Sequence, residues 1–171
     1  MKKRLYIGKY LLSAGIVLLL SAGIVFWYIF EEKREENKVL KVVNTLAEDV
    51  SKNSTENPAA ALLKLKSVAD AFDYPAGISF GKNFSAEYER EALLSALTRY
   101  RATLQRINLT LSDQSVEISE NTAVVQFSLQ YALEDKAASF RRTDVCDGSC
   151  LLVKKDGLWK IKNLQFSKIL Q

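Results

Sequence analysis

The sequence of 171 residues has no histidine and only two cysteines, two prolines and one methionine. Histidine is the side chain that most often binds metals and transfers protons near neutral pH, so its absence excludes a Ser-His-Asp triad. Two thiolates without histidine do not complete a tetrahedral zinc site. The phosphate-cradling patterns G-x-x-x-x-G-K-[ST] and G-x-G-x-x-G are also missing. We therefore assign no catalytic residue, no metal and no cofactor from the sequence.

The positive charge of the chain is confined to its beginning. The formal net charge is +4, from 24 basic and 20 acidic residues. Lys2, Lys3, Arg4 and Lys9 account for this excess, because residues 1–30 contain no acidic side chain. The remainder is neutral and lacks the positive surface with which proteins bind phosphate backbones, so no nucleic-acid partner is expected.

Residues 11–30, LLSAGIVLLLSAGIVFWYIF, are twenty consecutive residues without a charge. As a helix they would be about 30 Å long, which matches the hydrocarbon core of a bilayer. The segment before them is basic and the segment after them, EEKREENK, is mixed, so the positive-inside rule places the N-terminus in the cytoplasm. A cleaved signal peptide is the alternative, because Ser21-Ala22-Gly23 offers small residues for processing. We favour an uncleaved anchor, because the apolar run continues past that site.

The pattern divides the chain into four segments. We predict a cytoplasmic basic tail at 1–10, a transmembrane helix at 11–30, a juxtamembrane amphipathic helix and loop at 31–57 that gives the first helix of the fold, and the remainder of an α+β domain at 58–171. The protein is then expected to cross the cell inner membrane once, with its C-terminal domain periplasmic or otherwise extracytoplasmic.

Helical periodicity continues to Arg106. A second helix is predicted after Asn57, which is placed as an N-cap before Pro58. The stretch 73–77, DYPAG, is predicted to end it before a short extended piece. Ser85 is predicted to cap a third helix with an apolar face. That face consists of Leu93, Leu97, Tyr100 and Leu104.

After Arg106 the apolar period becomes two, which predicts strands to the C-terminus. A bend is predicted at Ser112-Asp113 and a turn at Glu120-Asn121. Asp156-Gly157 is a strong hairpin signal, because a type I′ turn needs positive φ at both central residues. The predicted fold class is α+β: an N-terminal transmembrane helix, then three helices packed on a curved, cone-like antiparallel sheet.

The order of these elements resembles the nuclear-transport-factor-2-like superfamily, also called ketosteroid-isomerase-like or cystatin-like. The similarity lies in EREALLSALTRYRATLQRINLTLSDQSVEISENTAVVQFSLQYAL, then SFRRTDV, then LLVKKDGLWKIKNLQF. It covers about residues 35 to 170 and implies a sheet that wraps around helices and often leaves an apolar pocket. Function does not follow from it, because the superfamily includes isomerases, dehydratases, ligand binders and assembly factors.

Ketosteroid isomerases place a carboxylate base and an acidic donor pair in an apolar cavity, and the sequence does not match those positions residue by residue. The nearest candidates on the predicted sheet form our ligand-binding prediction: Tyr131, Arg142, Asp144 and Trp159. Tyr88 and Tyr100 are further candidates on the third helix. Each also has a purely structural interpretation, as core aromatics or cross-strand ion pairs.

Cys146 and Cys150 bracket Asp147-Gly148-Ser149, and outside the cytoplasm so close a pair tends to oxidise. We predict a disulfide between them that pinches a bulge or a small hairpin. A redox-active pair, acting as a sensor of the envelope, is an alternative. It is less favoured, because redox pairs usually have two intervening residues and lie at a helix N-terminus.

Two functions remain open from the sequence. The first is a non-enzymatic, single-pass membrane protein whose outer domain is an interaction or assembly module, with membrane lipid around residues 11–30 and protein partners in the envelope. Its layout resembles the bitopic inner-membrane assembly component of type IV secretion systems, and a homodimer is left open. The alternative is a small apolar ligand-binding or isomerase-like domain.

Overall fold

The computed structural model describes residues 31–81, 84–137 and 140–168. The chain divides into two compact units, with the boundary between Asn37 and Lys38. Described residues of the first unit, 31–37, are helical. The predicted basic tail and transmembrane segment, 1–10 and 11–30, lie outside the described residues. Among the helices that are described, none combines the length and the hydrophobicity needed to cross a bilayer.

Three helices are described, as expected: α1 over residues 31–50, α2 over Pro58–Asp70 and α3 over Arg90–Thr103. In α1 the buried residues Val39, Val43 and Leu46 follow helical spacing and form one apolar stripe. Asn57 is confirmed as the N-cap of α2, because its Oδ1 accepts a hydrogen bond from the amide of Ala59 at 2.8 Å.

The start of α3 differs from the prediction. Ser85 does not cap the helix; it lies in strand β2 (Phe84–Tyr88), where it pairs with Ser79 of strand β1 (Phe72–Phe80). The helix begins after Glu89, whose side chain makes no capping hydrogen bond. The segment 73–77, predicted as a helix stop, is also part of β1. The backbone of both segments is therefore determined by the pairing of β1 with β2. The capping preference of Ser85 is too weak to override this pairing.

Four long strands follow: β3 (Leu104–Ser119), β4 (Thr122–Asp135), β5 (Arg141–Lys155) and β6 (Leu158–Lys168). The described strands form one six-stranded sheet in the order β2-β1-β6-β5-β4-β3. The sheet is mixed rather than antiparallel throughout, because β1 pairs parallel with β6. Alternation with period two reports which face of a strand is buried and carries no information on the direction of its neighbour.

The predicted turns of the sheet are confirmed. The register of β3 with β4 shifts between Ser112 and Ser115, and Asp113 has a φ of 51°. Glu120 has the same positive φ at the β3–β4 turn. Asp156 and Gly157, with φ of 51° and 78°, make the β5–β6 hairpin. Both central residues of that hairpin have the left-handed backbone that this turn requires.

The predicted disulfide between Cys146 and Cys150 is wrong. Both thiols are free, and both residues lie in β5, which continues without a turn from Arg141 to Lys155. Residues four apart in an extended strand are about 13 Å apart, whereas the Cα atoms of a disulfide lie within about 7 Å. Gly148, expected in a loop, pairs with Phe127 of β4. An added Cβ at Gly148 would overlap the Phe127 ring, so this glycine makes room for the aromatic side chain.

The core lies between the helices and one face of the sheet. Buried side chains from all three helices meet those of the central strands in one apolar cluster. Val125, Cys150, Leu152 and Ile161 are fully buried in this layer. We call this side of the sheet the inner face. Its buried residues pack against those of the helices.

Candidate functional site

The inner face changes from apolar to polar along β4 and β5. Cross-strand pairs there run from Val125–Cys150 through Phe127–Gly148 and Leu129–Cys146 to Tyr131–Asp144. Successive pairs on one face are two residues apart, so Tyr131 and Asp144 continue the row that forms the core. Arg142 is next along that face of β5. We call Tyr131, Arg142 and Asp144 the tyrosine–aspartate cluster.

Hydrogen bonds occupy both carboxylate oxygens of Asp144. Arg142 Nη2 lies 3.2 Å and Tyr131 Oη 3.3 Å from Oδ2, and both donate to it. The amide of Val145 donates to Oδ1 at 3.0 Å. The Arg142 guanidinium carbon also lies 5.8 Å from the centre of the Tyr131 ring, within the range of a cation–π contact. The structure thus brings together three of the four predicted site residues.

These contacts fix the charge states of the cluster. The hydrogen bond from Arg142, with that from the Val145 amide, holds the pKa of Asp144 below its ordinary value. Desolvation raises the pKa of Tyr131, which keeps its phenol protonated as the donor to Asp144. A general base works best when its pKa lies near the working pH. Asp144 is therefore a weak base in this arrangement, and the cluster is suited to hydrogen bonding more than to proton abstraction.

The fourth predicted residue, Trp159, lies elsewhere. It is near the start of β6, beside the hairpin turn, and Lys154 Nζ lies 5.5 Å from the centre of its ring. Trp159 lines a cleft of about 620 Å³ between α1, α2 and the β5–β6 turn, which we call the α1–α2 cleft. The prediction of one site from these four residues therefore combined two separate regions of the fold.

The additional tyrosine candidates also separate. Tyr88 is in β2, where it pairs with Ala76, and not on α3 as expected. Tyr100 is on α3 and half-exposed. The two thiols offer no reactive nucleophile, because burial raises the pKa of Cys146 and raises that of Cys150 to about 12. Within the described ranges, no group of three or more acidic or cysteine side chains is placed to hold a metal ion.

A buried ion pair between Arg101 and Glu56 was not anticipated. Arg101 is only 4% exposed although it lies on α3 among charged neighbours. Its Nη2 donates to Glu56 Oε2, while Lys64 Nζ lies 3.2 Å from Oε1 at an angle that makes an ion pair and not a hydrogen bond. Burial acts to raise the pKa of Glu56, but Arg101 and Lys64 outweigh it and the pKa falls below its ordinary value.

Arg101 also closes the end of another helix. Its Nη1 donates to the carbonyls of Asp49 at 2.9 Å and Val50 at 2.6 Å, at the C-terminus of α1. In return, Lys52 Nζ donates to the carbonyls of Arg101 and Leu104, at the C-terminus of α3. Each cation satisfies carbonyls that a helix end leaves without partners and complements the negative end of the helix dipole. This reciprocal capping is structural and fixes α1 against α3.

Solved structures similar to this fold share little sequence with it. A protein from Novosphingobium aromaticivorans DSM 12444, provisionally named a scytalone dehydratase, is 17% identical with a TM-score of 0.64 over 81% of this chain and 87% of its own. A provisionally named dehydratase of the NTF2-like family from Streptomyces avermitilis is 11% identical, with a TM-score of 0.66 over 82% of this chain and 99% of its own. At such identities the likeness shows the fold alone.

A third structure names the fold directly. An NTF2-like protein with a cystatin-like fold from Novosphingobium aromaticivorans is 10% identical, with a TM-score of 0.62 over 82% of this chain and 85% of its own. No curated protein matches the sequence. The family model described as the SnoaL-like domain matches residues 57–171, from the cap of α2 through all six strands. The NTF2-like fold expected from the sequence is thus confirmed, and the chain belongs to the SnoaL-like domain family.

Proposed function

We propose that this protein is a non-catalytic SnoaL-like binding domain held at the outer side of the cell inner membrane by residues 11–30. Its N-terminus is cytoplasmic, and its folded part assembles with proteins of the cell envelope. The observation that supports this most is the pairing within the tyrosine–aspartate cluster. Arg142, Tyr131 and the Val145 amide all donate hydrogen bonds to Asp144, so this carboxylate is not a free base.

The chemistry of the tyrosine–aspartate cluster supports the same proposal. A carboxylate with both oxygens hydrogen-bonded and a lowered pKa has little tendency to take a proton from carbon. Arg142 also cancels its charge, so the cluster offers no net charge to attract an ionic substrate.

The sequence supports the location. Residues 11–30 have the length and hydrophobicity of a transmembrane helix, and the basic residues precede them. An alkaline carbonate wash should leave the full chain in the membrane fraction. Leu18→Arg with Leu19→Arg should release it, because each arginine near the middle of a spanning helix costs about 2.5–3.5 kcal/mol. Release of the unaltered chain would contradict the anchor.

The assembly proposal has its own experiment. The full chain should be purified from native membranes in mild detergent and the mass of the complex measured. A mass above that of the monomer, with one constant composition, is expected. A uniformly monomeric chain would overturn the assembly proposal while leaving the anchor untouched.

A second candidate function, binding of a small apolar ligand, is favoured by one observation. Tyr131 and Asp144 do converge on the inner face, next to the apolar pair Leu129–Cys146. If this is the function, an apolar fluorescent dye should bind at one site per chain and Asp144→Ala should abolish that binding. Thr143→Ala, on the opposite face of β5, is the matched control. A domain that assembles with envelope proteins and holds no small ligand should show no such binding.

A further inference from the structure

The α1–α2 cleft lies apart from the tyrosine–aspartate cluster and shares no lining residue with it. It measures about 620 Å³, and α1, α2 and the β5–β6 turn each form a wall. Apolar side chains line it, among them Val42, Leu63 and Leu158. Two of these are unusually open to solvent, with Leu63 69% and Leu158 61% exposed. Together with the cleft they form an exposed apolar patch of the kind that marks binding sites.

The charges around this cleft are mainly positive. Its lining includes four lysines, Lys38, Lys41, Lys66 and Lys160, and two acids, Asp49 and Asp70. Asp70 is paired with Arg90 at 2.6 Å and also interacts with Lys66 and Lys160. Lys160 Nζ donates to the carbonyl of Asp70. The cleft therefore combines an apolar lining with a net positive rim.

Two of these lysines are available to a ligand. Lys41 is on α1 and Lys66 is on α2, so they line different walls. In the part of the chain that the structure describes, neither makes a hydrogen bond or an ion pair. An anion between them would gain two charge-assisted contacts, and Asp70, which also interacts with Lys66, keeps Arg90 as its partner.

The short stretch of chain between Phe30 and residue 38 limits how far the cleft can lie from the proposed membrane anchor. Residue 38, the first of the second unit and part of the lining, follows Phe30 by eight residues. Eight residues span at most about 28 Å even when fully extended. If residues 11–30 cross the bilayer, the cleft is tethered to the lipid headgroups at high local concentration.

We propose that the α1–α2 cleft binds an anionic phospholipid of the membrane in which the chain is anchored. Lys41 and Lys66 contact the phosphate of the headgroup, and Leu63 and Leu158 contact the interfacial part of the lipid. This inference rests on the proposed membrane anchor. Each lysine near an anionic surface strengthens binding about fivefold, so the pair contributes roughly 25-fold.

Its two tryptophans, Trp27 and Trp159, allow the anchor and the cleft to be tested separately. The full chain is reconstituted in nanodiscs that contain either brominated phosphatidylglycerol or brominated phosphatidylcholine, since bromine quenches tryptophan fluorescence at short range. The Trp27→Phe variant reports on the cleft through Trp159. The Trp159→Phe variant reports on the anchor through Trp27.

We expect Trp27 to be quenched by both lipids and Trp159 to be quenched at least fivefold more by phosphatidylglycerol. Lys41→Glu with Lys66→Glu should abolish that preference, whereas Arg99→Glu with Arg106→Glu, an exposed pair outside the cleft lining, should not.

Equal quenching of Trp159 by both lipids, or a preference that survives the lysine changes, would overturn the lipid site. Loss of Trp27 quenching would instead overturn the anchor. Cross-linking of Lys41 to a second copy would show that another chain occupies the cleft, which also overturns the proposal.

Discussion

At the scale of single residues, buried charge and close packing matter most. Arg101 neutralises Glu56 and caps α1, with only 5% of the Arg101 side chain and 8% of the Glu56 side chain exposed. A buried ion pair is not in itself strong evidence of added stability, because desolvation opposes the attraction. Removal of Arg101 is severe, however, because buried Glu56 then keeps only Lys64 as a partner and the carbonyls of Asp49 and Val50 lose their donor.

We therefore predict that Arg101→Met lowers the free energy of unfolding by about 3–5 kcal/mol. Urea unfolding of the full chain in detergent measures this. The double change Arg101→Met with Glu56→Leu should recover part of the loss, because the buried carboxylate that kept only Lys64 as a partner is then gone. Exposed Arg99→Met, on the same helix, should change stability by less than about 0.5 kcal/mol. An effect of Arg101→Met as small as that of the control would contradict the role given to this pair.

The lowered pKa of Glu56 should make the stability of the fold depend on pH. Burial acts to raise its pKa, but the hydrogen bond from Arg101 and the ion pair with Lys64 outweigh it, so the pKa in the folded protein lies below the ordinary value of 4.5. The stabilisation is then complete above that value and is lost as pH falls through the lower, folded pKa. Stability measured from pH 6 downward should fall less steeply in Glu56→Gln than in the unaltered chain. Glu117→Gln, at an exposed position of β3, should keep the original slope.

The close approach of the Phe127 ring to Gly148 allows a prediction about core packing. A Cβ at this position would overlap the ring of Phe127, which is buried in the core. Gly148→Ala should therefore destabilise the fold by about 1–3 kcal/mol, as overpacking does. Phe127→Leu in the same chain should relieve much of that effect, since the smaller side chain leaves room for the methyl group. Ser149→Ala, on the opposite face, should have little effect, and thermal unfolding compares all of them.

At the scale of elements, local signals predicted those parts of the fold that local physics determines. The alternation in β4, the positive-φ hairpin at Asp156-Gly157 and the cap at Asn57 each depend on a few neighbouring residues. The parallel contact of β1 with β6 depends on residues far apart in sequence, so no local pattern reports it. The β1–β2 hairpin is local, but its strands are short and Ser85 also fits a helix cap. The spacing of Cys146 and Cys150 suggested a turn, but pairing of β5 on both sides keeps the chain extended.

For the candidate site, too, the sequence predicts which residues share a face of the sheet but not how far apart along it they lie. Alternation places Tyr131, Asp144 and Arg142 on one face, because strand period alone decides that. Trp159 follows the same alternation but lies at the far end of the sheet, and register is what separates it. Arg101 gave no signal, because an arginine among charged neighbours on a helix has the pattern of a surface residue. Only the packing of α3 against the end of α1 shows that it is buried.

The cap of α2 gives the prediction at this scale. Loss of the hydrogen bond from the Ala59 amide to Asn57 Oδ1 in Asn57→Ala should lower the unfolding free energy by about 1 kcal/mol. Asn57→Asp, which keeps an acceptor oxygen, should retain most of it. Asn53→Ala, an exposed position in the same loop, is the control and should be close to neutral. Equal losses at Asn57 and Asn53 would show that the cap contributes nothing specific.

At the scale of the whole molecule, a basic and then apolar N-terminal segment precedes a body with equal numbers of basic and acidic residues. The folded body belongs to a family whose members share a shape. On the inner face of the described sheet, an apolar core gives way to the tyrosine–aspartate cluster, in which Arg142 pairs with Asp144. The proposed role as a binding domain therefore depends on where the body is held and on what it meets there.

The most direct test of that location is the accessibility of engineered cysteines in intact cells. In a chain carrying Cys146→Ser and Cys150→Ala, a single cysteine is placed either at Lys3 or at the exposed Glu117. A membrane-impermeant maleimide should label Glu117→Cys in intact cells whose outer layers have been made permeable, and should label Lys3→Cys only after the inner membrane is broken. Labelling of Lys3→Cys in intact cells, or protection of Glu117→Cys until lysis, would contradict the account.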